Sequence, residues 1–231
     1  MSVIEHIYEP SRLLLVWHHS DETKPRHRRV VGELIRKGDD AFFRYLKGTV
    51  DFEAALNEGF HEFPAFEDGK AESQPRALDV FLRRIPPRKR EDFNEYLGQY
   101  NLPENFSGSP FSLLGYTGAR LASDTFELCP DFTDAKAPLD FIIELSGAHH
   151  YVKPQNNIAE GDAVEFVLDE NNEHDENAIK VEHNNVVIGY INKAMTPGFK
   201  KLLNEGTVKG TILKKYLFKS KIGIILLVKY L

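Results

Sequence analysis

The sequence predicts an α+β protein: a small antiparallel sheet with helices in the first 130 residues, then a mainly-β unit from residue 141 to 231. Three observations carry this. Apolar residues follow helical spacing between Ala77 and Tyr100. Apolar residues alternate with period two through most of the last 90 residues. Charge also breaks sharply. Residues 1–140 hold 18 Lys and Arg against 24 acids, residues 141–182 hold 2 against 10, and residues 183–231 hold 9 lysines against the single acid Glu205. With 42% apolar residues among 231, the chain can bury a core of either size.

At the start, Arg12–His19, Arg29–Ile35 and Asp40–Leu46 read as three strands of an antiparallel meander. Residues 47–72 show weak patterning. Ser73 or Gln74 near a cap and Pro75 open a helix that carries Ala77, Leu78, Phe81, Leu82 and Ile85, and Pro86 and Pro87 stop it. A second helix fits Arg88–Tyr100. Ser109 and Pro110 mark the cap and first turn of a third, ending at Gly115. Asp124–Pro130 reads as a strand. The polar, proline-flanked stretch 131–140 is the expected linker. Six strand candidates follow, with one short helix between Pro197 and Glu205. Many short strands separated by turns predict a small barrel or curled sheet.

Several function classes lose support. Cys129 is the only cysteine, which excludes an internal disulfide framework and fits a reducing, cytoplasmic setting. The start is acidic, unlike a signal peptide. The apolar run Ile222–Val228 is seven residues, against about 20 for a spanning helix. A soluble protein is expected. There is no Walker glycine loop, G-x-S-x-G or H-E-x-x-H motif.

The stretch Asp169–Val181, DENNEHDENAIKV, concentrates acids and amides. As a calcium loop it offers Asp169, Asn171 and Glu173, but His174 stands at the glycine position and Lys180 at the final acid position. For zinc, His149, His150, His174, Asp175 and His183 lack paired-ligand spacing. Asp169, Glu170 and Asp175 as hydrolytic acids have no distinguishing spacing, and a metal-dependent nuclease is the weakest of the function classes. A turn explains more. Asn171 and Asn172 can take positive φ, Asp175 and Asn177 can bond nearby backbone, and Ile179 and Val181 return to the core.

This stretch, followed by Val187–Lys193 (VIGYINK) and preceded by Gly147–Tyr151 (GAHHY), resembles the HIRAN domain over residues 139–231. The resemblance implies a small OB-like β-barrel that binds single-stranded DNA at 3′ ends without catalysis or cofactor. It implies that aromatic rings stack on terminal bases, that a loop Asp accepts the 3′ hydroxyl, and that lysines hold phosphates. Carried over, His174 is the loop ring and Asp175 the hydroxyl acceptor. Asn172 shapes the pocket, Tyr190 is a polar contact and Lys193 the phosphate contact. His149, His150 and Tyr151 come from the family's first strand, with His150 or Tyr151 the stacking ring. DNA-binding members have tyrosine where this chain has His174. Histidine is a weaker stacking surface, and it titrates near pH ~6.5.

Val30–Leu34, Ala77–Pro87 and Ser109–Leu128 look like the N-terminal subdomain of HipA-type Ser/Thr kinase toxins, over residues 10–130. No kinase core follows. This resemblance implies an alternative: a toxin–antitoxin or defence interaction protein whose N-terminal unit docks on a separate HipA-like kinase.

Overall fold

The computed structural model describes residues 4–21, 27–66, 76–172, 175–218 and 220–231. The chain divides into two compact units, Glu9–Asp131 and Met1–Tyr8 with Phe132–Leu231. The architecture is α+β, as the patterning predicts.

In the Glu9–Asp131 unit, β1 (Arg12–Trp17), β2 (Arg29–Lys37) and β3 (Asp40–Tyr45) form the expected meander. Then come α1 (Val50–Asn57), α2 (Ala77–Leu82), α3 (Phe93–Gln99), α4 (Pro110–Thr117) and β4 (Phe126–Pro130). The sheet order is β3-β2-β1-β4, antiparallel throughout. An aromatic cluster covers one face. Phe43 stacks on Phe66 at 4.6 Å, and Phe63 lies 5.0 Å from both Phe81 and Phe126. Close ring packing of this kind adds to the area buried. On β2, Glu33 is fully buried, and its carboxylate is paired with the guanidiniums of Arg12 and Arg44. A buried charge without such partners would be costly.

Four helices of this unit differ from expectation. α2 ends at Leu82, so Ile85 lies in the turn before Pro86 and not on the helix. α1 went unread because only Phe52 and Ala55 are buried, too few to show a period; Thr49 caps it. Residues 88–92 form turns ahead of α3, with Arg90 paired to Asp92, since that stretch has no apolar face. α4 has the expected Ser109 cap but runs two residues past Gly115. Ser73, Gln74 and Pro75 lie outside the described residues.

The second unit contains β5 (Leu139–Glu144), α5 (Ala148–Tyr151), β6 (Ala163–Leu168), β7 (Ile179–His183) and β8 (Val186–Tyr190). A 3₁₀ turn (Lys193–Met195), α6 (Thr196–Glu205), β9 (Val208–Phe218) and β10 (Lys221–Tyr230) complete it. The sheet order is β5-β10-β9-β6-β7-β8. Alternation works as predicted: Ile179 and Val181 are buried, while Lys180 and Glu182 reach solvent. The first residues also belong to this unit. The N–H groups of Glu5 and His6 donate to Asp140 Oδ2 at 2.6 and 3.0 Å, and Tyr8 stacks on Phe132.

The six-stranded sheet curls until its ends meet. Leu145, just past β5, still bonds to Ile224 of β10. Ser146 exchanges two backbone hydrogen bonds with Tyr190 of β8, at 2.8 and 3.0 Å. Gly189 permits this contact. Its φ is +151°, and a Cβ there would lie 3.0 Å from Leu145 Cβ and 3.1 Å from Ser146 O. Gly189→Ala should therefore destabilise the protein by about 1–3 kcal/mol in urea unfolding, from backbone strain. Gly98→Ala, in open space on α3, should be neutral or slightly stabilising. Equal midpoints for the two variants would contradict this account of the closure.

Candidate nucleic-acid interface

Residues 169–172 and 175–178 are tied together by their own side chains. Backbone bonds add to this: Asp169 N–H donates to Ala178 O at 2.9 Å, and Ala178 N–H to Asp175 O at 2.9 Å. Inside, Asn172 works twice. Its Nδ2 donates to Asp169 Oδ2 at 3.1 Å, and its Oδ1 accepts from Asp175 N–H at 3.1 Å. Asp175 Oδ1 accepts from Asn177 N–H at 3.0 Å. Such short side chains imitate backbone turns. The expected positive φ at Asn171 and Asn172 is not found; Asn184 and Asn185, at the β7–β8 turn, carry it instead. Asn172 turns the chain through side-chain bonds, so its backbone needs no left-handed conformation. Glu173 and His174 lie outside the described residues.

Tyr190, a polar contact in the HIRAN resemblance, and Lys200, which no sequence pattern singles out, complete the loop. Tyr190 Oη donates to Asp169 Oδ2 at 2.8 Å. Lys200 Nζ, from α6, donates to Asn177 Oδ1 at 3.1 Å. Each link joins residues more than 20 positions apart, beyond the reach of a local pattern.

The GAHHY segment is not a strand. Gly147, at φ +70°, turns the chain out of β5's path, and Ala148–Tyr151 form α5. His149 and His150 are adjacent rings 3.9 Å apart. The Tyr151 ring, 44% exposed, lies 5.6 Å from that of Tyr190 at 51°. Lys193 is exposed on the 3₁₀ turn that follows, which is capped by buried Asn192. The structure thus brings Tyr151, Tyr190, Asp169 and Asn172 into one continuous set of contacts that Asp175 extends.

Electrostatics fit a binding surface. The Asn172 amide and then the Tyr190 hydroxyl hold the Asp169 carboxyl below its ordinary range. Burial, then the bonds to Asp169 and Tyr151, push the Tyr190 phenol up. At neutral pH this is a neutral phenol donating to a carboxylate. Burial, then neighbouring His150 and Lys221, lower the His149 imidazole, favouring its neutral ring. Among the described residues, the one three-ligand group close enough for a metal is Glu5, His6 and Asp140, and the Lys229 ammonium stands 3.2 Å from Glu5. His149, His150, Asp175 and His183 form no such group among the described residues.

Tyr190→Phe tests the loop. A depressed carboxylate stabilises the fold above its unfolded pKa, and that stabilisation fades as pH falls through the folded pKa. Removing the hydroxyl should raise the Asp169 midpoint, read by carboxyl-carbon NMR titration, and reduce the loop's amide protection at neutral pH. An unchanged midpoint would contradict the bond's role.

Comparison with known proteins bears on residues around this site. No curated protein matches the chain significantly. Two solved structures are similar in part. The HIRAN domain of human HLTF shares 19% identity over 39% of this chain and 74% of that one, with a TM-score of 0.33. A protein from Lactobacillus plantarum shares 20% identity over 41% of this chain and 95% of that one, with a TM-score of 0.32. The HIRAN-domain family model matches residues 140–217, from β5 into β9.

Proposed function

We propose that the second unit is a non-catalytic module that binds DNA as a single strand at a free 3′ end. The observation that carries this reading is the exposed Tyr151 ring beside Tyr190, edged by the tied loop. A base stacks on an aromatic face whatever its identity, for about 1–3 kcal/mol. Lys193 and the lysines of β9 and β10 supply salt-sensitive affinity for phosphates. Asp175 has spent one lone pair on Asn177, and a carboxylate offers about four acceptor sites. It can take the 3′ hydroxyl, and the loop's acids repel a 3′ phosphate. His174 stacks on the terminal base in the reading the HIRAN resemblance implies.

Fluorescence anisotropy with labelled single strands tests this. The full chain should favour a 3′ hydroxyl over a 3′ phosphate, and Asp175→Ala should erase the preference. Tyr151→Ala should weaken binding by about 1–3 kcal/mol. Lys193→Glu should lessen the slope of log affinity against log salt by about one or two contacts. Equal affinity for both ends, with binding unchanged in Asp175→Ala and Lys193→Glu, would overturn the reading.

A second reading concerns the Glu9–Asp131 unit. It contains a cavity of about 520 Å³ whose lining includes Leu82, Ile85, Pro86, Pro110 and Leu113 together with Arg83. Together with the HipA-type resemblance, this supports docking on a separate protein chain, a HipA-like kinase among them. A pull-down with the full chain should recover a partner that Leu82→Glu fails to hold. Equal recovery would remove this reading.

A further inference from the structure

We propose that a small pocket behind Tyr151 holds one nucleobase of the bound strand, next to the base stacked on the Tyr151–Tyr190 pair. The proposal rests on the DNA-binding reading and adds a base-reading subsite to it. The pocket has a volume of about 150 Å³. That is half the lower bound of about 300 Å³ for drug-sized ligands and equals roughly five water volumes, which suits a single planar ring system.

Its lining matches a base in two ways. Ile158, Val186 and Ile188 offer apolar contact for the ring faces. Asn156, Asn157 and Asn184 bring amides for the edge. An amide presents donors and an acceptor together, the pattern a base edge requires. Asn156 Oδ1 is engaged with Lys153 N–H at 2.7 Å, which leaves its NH₂ donors. The Asn157 side chain makes no hydrogen bond among the described residues, although it lines the pocket.

Position strengthens the assignment. Tyr151 belongs both to this pocket and to the ring pair with Tyr190. Sharing Tyr151, the stack and the pocket can take neighbouring bases of one strand. Lys215 Nζ donates to Pro154 O at 3.2 Å and Asn156 O at 2.8 Å, steadying the pocket's wall. It keeps a third donor for the phosphate between the two bases.

The test uses the full chain and 3′-hydroxyl strands with one abasic site at each of the last four positions, read by anisotropy. One position beyond the stacked base should lose roughly fivefold or more in affinity. Val186→Trp, which fills the pocket from an exposed position, should weaken the intact strand and abolish that positional loss. Asn157→Ala should shrink the loss without altering the fold. If strands bind but no position stands out, or if the positional loss persists in both variants, the pocket proposal is overturned and the DNA-binding reading stands. If no strand binds, the DNA-binding reading fails and this proposal with it.

Discussion

The two backbone hydrogen bonds between Ser146 and Tyr190 are what the candidate site depends on. They bring the chain past β5 against the edge of β8, at opposite ends of the sheet order. From there α5 follows directly, so Tyr151 is delivered to Tyr190. The same residue, through its hydroxyl, reaches Asp169 and anchors the loop. One pairing therefore sets the ring surface and the loop edge together. The absence of a side chain at Gly189 is the local condition for it. A site assembled on strand ends in this way has little freedom left to lose on binding.

Charge is divided within this unit in a way that suits a strand end. The segment 141–182 has a net charge of −8 and the segment 183–231 one of +8. Asp169 is tied to the Asn172 amide and to Tyr190, and Asp175 to the Asn177 N–H, so these two carboxylates are held in place. Among the described residues, the lysines of segment 183–231 lie on the 3₁₀ turn, α6, β9 and β10. A strand whose phosphates meet the lysines and whose hydroxyl meets the loop satisfies both. Elsewhere, the Glu33 carboxylate between Arg12 and Arg44 shows the other use of charge in this chain, a buried pairing that holds three strands in register.

Strands were legible because burial on one face writes a period of two into the chain, as Ile179 and Val181 show. Most of the longer helices were legible through apolar spacing or a Ser-Pro start. α5 was not, since four residues cannot display a helical period, and its histidines and tyrosine suit a strand as well. α1 was hidden by its two buried residues. The polar loop could be read as a turn, but not how it turns. Asn172 acts through its side chain, and the acceptor it grips, Asp169, is also held by a tyrosine 21 residues away. Contacts such as Tyr190 to Asp169 and Lys200 to Asn177 arise from closure of the sheet, so no local pattern records them. The HIRAN resemblance located the region; the contacts inside it came from the geometry.

The central claim is that one surface around the Ser146–Tyr190 closure meets the DNA end. Hydrogen exchange with and without a 3′-hydroxyl single strand tests it most directly. The account predicts slowed exchange at residues 146–151, 169–178 and 190–193, with the Glu9–Asp131 unit unchanged. Slowing confined to the Glu9–Asp131 unit, or none around Ser146 and Tyr190 under saturating DNA, would contradict it.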